Sequence, residues 1–358
     1  MKKNRRRKPG AVLALAALLL LPCLSLKQAH AAREVDVNQE CSLTVSVEIG
    51  SADGANAAYL EDFNRMQIPV SAYKVADVDV TGQKYTGIGV FKDLKFESIR
   101  TDSGTKAAEW QEKADEAAEI LAKNPHAEAA GSVVVSKTPD RPDAYGVITG
   151  LDTGMYLIVP EAAYNPEYTV QYTFSPYLAA LPSSEYTVNG TGSDAWVYDV
   201  TVGLKPQAEP QYGRLTITKT LENFNPSLGN VTFVFHVTGR DPVTGEVRYD
   251  EVESMTYSSA GDKSVLLEQI PAGLAVTVTE EYSGASYEIN GEASQMAVIQ
   301  SYAAVEAAGE TGAREASVTF RNRYGGGNRG GYGVTNHFES DGSGGWNWDT
   351  PSTDRPEP

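Results

Sequence analysis

The sequence predicts an all-β protein, two β-sandwich domains in tandem with one short helical insertion in the first. Three observations carry that expectation. Short runs in which apolar and polar residues alternate, rich in Val, Ile, Thr, Tyr and Phe, recur from Cys41 to Tyr324, as expected of strands buried on one face. Gly, Pro, Asp and Asn punctuate these runs as turns punctuate a sandwich. Near residues 206–212 two prolines, Pro206 and Pro210, divide the pattern into two units.

Along the chain, Lys2, Lys3, Arg5, Arg6, Arg7 and Lys8 come first, then an apolar stretch over 11–26, then Ala29-His30-Ala31. These are the three parts of a secretory signal peptide over 1–31, with cleavage expected after Ala31. The apolar stretch contains Pro22 and is at the short end of the roughly 17 to 25 residues that span a bilayer. No stable membrane span is therefore expected in the mature chain. Cys23 has Pro22 where a lipoprotein signal needs a small residue, so it leaves with the signal.

Loss of this segment sharpens the charge. The chain has 47 acidic and 30 basic side chains and a formal charge of −17; the first 31 residues hold seven cations and no acid, so the mature charge is −24. Such a protein is repelled by nucleic-acid phosphate and anionic lipid, and nucleic-acid binding is excluded on that ground. Secretion to the cell surface or beyond is the expected location. Only Cys41 then remains, so no intrachain disulfide can staple the fold and some other staple is expected.

Residues 41–205 form the first predicted domain. Its strands include Leu43-Thr44-Val45-Ser46-Val47, Ile68 through Val75, Tyr156-Leu157-Ile158-Val159 and Trp196 through Val202. Residues 105–123 interrupt them with a helix, because Trp110, Ala114, Ala117, Ala118 and Leu121 recur at three- and four-residue steps and give one apolar face. Residues 206–212 read as a linker, since two prolines interrupt strand pairing. The second domain, 213–324, has strands near 214–220, 231–237, 263–267, 275–281 and 316–323, with Asp241-Pro242 and Thr244-Gly245 marking a hairpin. Residues 325–358 are rich in Gly, Ser, Asp and Pro and read as a disordered tail or spacer, with Val334 through Phe338 a short apolar exception open to pairing as an edge strand.

The chemical signal lies in strand parity. Leu215, Ile217 and Lys219 share a face, as do Val276, Val278 and Glu280, and Val318, Phe320 and Asn322. Each strand thus places two apolar residues and then a polar one toward the core. A lone buried Lys or carboxylate costs several kcal/mol or neutralises; three polar groups converging is a different matter. The bland alternative is an ordinary salt bridge from a Lys219 that reaches solvent at a strand end. A slip of one residue in register would put Glu281 in place of Glu280.

The strand Leu215 through Thr220, the turn Pro271-Ala272-Gly273 leading to Val276 through Glu281, and the last strand Val318 through Asn322 resemble the collagen-adhesin B-type (Cna-B) domains of Gram-positive pilins and adhesins. The resemblance implies Ig-like or prealbumin-like sandwiches and a spontaneous intramolecular isopeptide bond. Lys219 and Asn322 would be the cross-linked pair and Glu280 the catalyst, with Glu281 the substitute.

The first domain resembles the amino-terminal domains of sortase-assembled pilins through Ala72 to Val78, Gly150 to Val159, Ser175 to Pro182 and Trp196 to Val202. Val47 stands where the reactive Lys of that domain would be, so no isopeptide bond is expected there. The family's pilin motif follows the Trp-x-Tyr-Asp-Val strand with Tyr-Pro-Lys; here the stretch is Val202-Gly203-Leu204-Lys205-Pro206, leaving Lys205 as the candidate acceptor for another subunit and a solvated linker lysine as the alternative. The chain ends at Thr353-Asp354-Arg355-Pro356-Glu357-Pro358 with no sortase sorting signal, which is read as truncation or release.

A secreted or surface-held structural or adhesive protein is therefore expected, with other pilin subunits and a sortase as partners and no cofactor or metal. The competing readings are a stalk without the cross-link and a secreted cell-wall hydrolase. Against the hydrolase, no nucleophile elbow, phosphate loop, Cys/His pair or metal-ligand cluster is recognisable, and neighbouring acids such as Glu61 and Asp62 have no catalytic context. Asn189-Gly190-Thr191 and Asn230-Val231-Thr232 match glycosylation sequons by coincidence in a bacterial protein.

Overall fold

The computed structural model describes residues 34–47, 57–96, 107–184, 195–284, 286–309, 314–326, 338–340 and 346–348. The predicted signal peptide, Asn189-Gly190-Thr191 and most of the tail lie outside the described residues. The chain divides into two compact units, one of residues up to Gln211 together with Ser301–Ala308, the other of Tyr212–Gln300 and the residues from Gly309 on.

In the first unit the strands are β1 (Cys41–Ser46), β2 (Ile68–Val78), β3 (Tyr85–Gly87), β4 (Gly131–Val135), β5 (Tyr145–Leu151), β6 (Gly154–Pro160), β7 (Ala163–Tyr164), β8 (Val170–Phe174), β9 (Tyr177–Leu181), β10 (Ser183–Ser184), β11 (Trp196–Val197), β12 (Asp199–Gly203) and β13 (Pro206–Pro210). The main sheet runs β3-β2-β6-β9, with β4 also on β2; a second sheet runs β12-β1-β5. One face of the main sheet buries Ile68, Val70, Tyr156 and Ile158 with Leu43 and Val45 of β1. The other face buries Val75, Met155 and Leu157 beneath the helix over 107–122. β6 is thus apolar on both sides, which explains its unbroken Met-Tyr-Leu-Ile-Val run.

That helix falls where periodicity places it, and Ala114 and Ala117 are fully buried on the sheet. A second helix was not expected: α1 (Ala57–Phe63) precedes α2 (Ala107–Ala122). Seven residues are too few for a convincing period. Packing decides the matter, because Phe63 is buried in the main core and meets the Tyr172 ring edge-on at 4.7 Å. Asp62 is fixed in the same place by Tyr172 Oη at 2.7 Å and Asn165 Nδ2 at 3.3 Å.

Two further expectations need correction. Residues 206–210 of the expected 206–212 linker are strand β13, paired antiparallel with β8 from Pro206–Phe174 to Pro210–Val170. β13 is the outer strand of its sheet, where a residue without an N–H is tolerated. The 325–358 tail is also not wholly without structure: Phe338–Ser340 pairs with Trp346–Trp348, placing Phe338 opposite Trp348, and aromatic residues favour strands.

The second unit is a two-sheet sandwich. Its strands are β14 (Tyr212–Leu221), β15 (Val231–Arg240), β16 (Val247–Tyr257), β17 (Gly261–Pro271), β18 (Ala275–Tyr282), β19 (Tyr287–Ile289), β20 (Ser294–Val298) and β21 (Ala316–Tyr324). One sheet runs β17-β14-β21-β19 and the other β16-β15-β18-β20. Between them lie Leu215, Ile217, Phe233, Phe235, Val276, Val278, Val318 and Phe320.

Phe63→Ala is expected to destabilise the protein by about 3–5 kcal/mol through cavity formation, read as a lower denaturant midpoint for the first unit.

Candidate functional site: a buried amine, acid and amide

Strict alternation carries polar side chains into the second core. On β14 every second residue from Gly213 to Leu221 is buried, so Lys219 cannot turn outward without moving Ile217 and Leu221 with it. On β18 the same rule buries Glu280 beyond Val276 and Val278, and on β21 it buries Asn322 beyond Val318 and Phe320. Lys219 and Asn322 have no exposed surface and Glu280 is 5 % exposed.

The three side chains meet. β14 and β21 are parallel neighbours, with Lys219 opposite Phe320 and Leu221 opposite Asn322, while Glu280 arrives from the facing sheet. Lys219 Nζ donates to Glu280 Oε2 at 2.6 Å and to Asn322 Oδ1 at 2.5 Å. Asn322 Nδ2 donates to Glu280 Oε1 at 2.6 Å and to the Ser283 carbonyl at 3.3 Å. Glu280 therefore bridges the amine and the amide nitrogen with its two oxygens.

The walls are aromatic. Nζ stands 4.6 Å from the centroid of the Phe233 ring and 5.7 Å from that of Phe235, and Tyr257 Oη donates to the Lys219 carbonyl at 2.5 Å. These rings exclude water, and the attraction of their faces for a cation adds to the Glu280 and Asn322 hydrogen bonds in offsetting the lost hydration. Neither Phe233 nor Phe235 is marked as a site residue by sequence, because each is an ordinary core position on β15.

Desolvation is the largest influence on both ionisable groups. It pulls the Lys219 pKa below the usual lysine value, against the opposing attraction of Glu280. It pushes the Glu280 pKa up, against Lys219 and the Asn322 hydrogen bond. Both shifts favour a neutral amine beside a neutral acid. An amine with a free lone pair, a carboxyl able to give and take a proton, and an amide carbonyl within reach are the parts of an acyl transfer.

Glu281 points the other way. It is exposed on the outer face of β18, with its Oε1 3.9 Å from His236 Nδ1. In the first unit Val47 is fully buried beyond β1. Among the described residues of that unit the buried polar side chains are Ser46, Thr153, Asn165 and Ser301. The lone thiol, Cys41, is buried and its pKa is pushed up to about 11 by desolvation, which makes it a poor nucleophile.

Lys205 lies between β12 and β13 rather than in an open linker. It is half-buried, its ammonium 5.2 Å from the centroid of the Tyr177 ring, and burial lowers its pKa against the pull of Asp115. Glu61 and Asp62 form no catalytic pair: the Asp62 carboxylate is engaged by Tyr172, Asn165 and Arg65. Among the described residues no cluster of three potential metal ligands occurs and no helix is long and apolar enough to cross a membrane.

Residues 215–325, which contain all three side chains, match the family model described as a domain of unknown function, DUF5979. A search of curated proteins finds no match. Among solved structures the chain is similar to a streptococcal ancillary pilin at 10% identity, covering 80% of this chain and 69% of that one, with a TM-score of 0.27. It is also similar to the full-length major pilin SpaD from Corynebacterium diphtheriae at 11% identity, covering 81% and 99%, with a TM-score of 0.26. The SpaE basal pilin from Lactobacillus rhamnosus GG is similar at 12% identity, covering 79% and 99%, with a TM-score of 0.29. At TM-scores this low the likenesses carry no argument about function.

Lys219→Met keeps the volume of the stem and strands the Glu280 carboxyl. The expected loss is about 3 kcal/mol or more. Because the folded state holds the Glu280 proton more tightly than the unfolded chain, the loss grows as pH rises above the unfolded carboxyl value. Thermal melts should show the gap between Lys219→Met and Lys219→Met/Glu280→Gln widening from acid to neutral pH.

Proposed function

We propose that this protein is a secreted or cell-surface structural subunit, pilin-like or adhesive, whose second domain closes itself with an amide between Lys219 and Asn322. The observation that carries this reading is the buried convergence of amine, acid and amide, with Nζ 2.5 Å from Asn322 Oδ1 and Glu280 touching both partners. A salt bridge alone would not need the amide, and it would be better placed at the surface.

The reaction begins from neutral Lys219 and neutral Glu280. Nζ attacks Cγ of Asn322. As Cγ becomes tetrahedral, Glu280 Oε2 takes a proton from Nζ while Oε1 gives its own to Nδ2. The Nζ–Cγ bond forms, the Cγ–Nδ2 bond breaks, ammonia leaves, and Glu280 ends neutral as it began. Folding supplies the proximity, which in favourable cases is equivalent to about 10⁵ M or more of reactant. The reaction occurs once per chain and makes the protein no enzyme in the turnover sense.

The basic and apolar start of the sequence and the acidic remainder support export, and the single mature cysteine supports a staple other than a disulfide. Other pilin subunits and a sortase are the partners this reading implies. A second reading concerns Lys205: its half-buried, desolvated amine is a better nucleophile than a solvated lysine, which favours it as the acceptor in subunit joining.

Intact mass of the folded protein is expected to fall short of the sequence mass by one ammonia, and Glu280→Gln should restore the full mass while Glu281→Gln should not. A wild-type chain at full mass, signal removal allowed for, rejects the cross-link. For Lys205, wild type and Lys205→Ala are incubated with a sortase and a partner pilin. Loss of the ladder in the variant is expected, and equal ladders reject the acceptor role.

A further inference from the structure

The Ser283 carbonyl touches the amide that the reaction would consume, and its role differs from that of every other partner of Asn322. A carboxyl can accept when ionised and donate when neutral. A neutral amine both donates through its N–H groups and accepts at its lone pair. Once Lys219 and Glu280 are both neutral, neither fixes which end of the Asn322 amide points where, because each can satisfy an oxygen or an N–H. A backbone carbonyl has no such freedom, since it only accepts.

We infer that the Ser283 carbonyl is a positioning group that holds the Asn322 amide with its leaving nitrogen toward Glu280, and that it makes the site selective for an amide over an acid. This inference rests on the cross-linking reaction proposed above. Nδ2 has two hydrogens, and the geometry assigns both: one to Glu280 Oε1 at 2.6 Å, one to Ser283 O at 3.3 Å. The carbonyl oxygen Oδ1 is thereby turned to Lys219 Nζ at 2.5 Å. In the flipped amide Oδ1 would face the Ser283 oxygen, and the group to be expelled would face the nucleophile instead of its proton donor.

The local chain is built to keep that carbonyl in place. Ser283 follows the end of β18 and precedes Gly284, whose φ of +80° is in the region open to glycine. A Cβ on Gly284 would also lie 2.5 Å from Val231 Cγ2, so any larger residue strains the backbone beside that carbonyl and crowds Val231.

Selectivity follows from hydrogen count. An aspartic acid at position 322 brings one hydrogen where the amide brings two, and an aspartate brings none, leaving the Ser283 carbonyl facing a negative oxygen. Attack on the acid would form the same Nζ–Cγ bond and expel water rather than ammonia. It would proceed only from the protonated form.

The test compares intact masses of the full chain, wild type and Asn322→Asp, with circular dichroism showing that both are folded. Wild type is expected to purify short by one ammonia. Asn322→Asp is expected to purify mostly unreacted. Gly284→Ala, which keeps Asn322 but strains the backbone beside the carbonyl, is expected to purify with a measurable unreacted fraction. A folded Asn322→Asp that is fully converted on purification overturns the inference while leaving the cross-link standing. A folded Gly284→Ala that purifies fully converted overturns it in the same way. Wild type at full sequence mass instead rejects the cross-link itself, and this inference with it.

Discussion

An amine with no water on it is the constraint around which the second unit is organised. Lys219 has no exposed surface, and moving an ammonium from water into such a place costs several kcal/mol even after relaxation. What surrounds Nζ answers that cost: a carboxyl oxygen, an amide oxygen and the face of Phe233. The answers come from three strands, β15, β18 and β21, drawn from both sheets. A slip of any of them by one residue would replace a partner with its outward neighbour, as Glu281 in place of Glu280 illustrates. The polar cluster therefore constrains register as well as chemistry.

Topology gives a Lys219–Asn322 link its consequence. β14 opens the unit and β21 closes it, and the two are parallel neighbours. A bond between them ties residues 103 positions apart. By the chain-entropy account, a disulfide closing a loop of that length contributes about 4–5 kcal/mol, and an amide would do so without depending on an oxidising environment. Tension entering at Tyr212 and leaving past Tyr324 would pass from Lys219 to Asn322 directly. The strands between them would carry none of it.

Parity makes most of this site legible in the sequence. Lys219, Glu280 and Asn322 each follow two apolar residues at steps of two, and a rigid alternation cannot hide which face they share. The Ser283 carbonyl was not legible, because a backbone oxygen has no residue type to betray it. Phe233 and Phe235 were visible only as core. Elsewhere the failures have specific causes. Pro206 and Pro210 suggested a linker, yet an outer strand has one side on which a missing N–H is harmless. Helix α1 was missed because its seven residues carry no period, and it is fixed by what Phe63 and Asp62 touch. The Phe338 and Trp348 pairing lies in a stretch whose composition is dominated by glycine.

The first unit shows why such a site is not a general property of these sandwiches. Its opening strand β1 keeps the same alternation, Cys41, Leu43 and Val45 inward, and continues it at Val47. With an apolar residue there, nothing in the core needs a carboxyl or an amide to face it. Among the described residues the polar side chains that this unit buries are uncharged, and Asn165 is satisfied by the Thr169 and Val170 N–H groups and by the Asp62 carboxylate. That network pins α1 to the β7–β8 turn through an amide, a phenol and a carboxylate that stays partly exposed beside Arg65. Val47 just beyond the first strand adds to a core closed by packing, whereas Lys219 in the second unit is met by an acid and an amide.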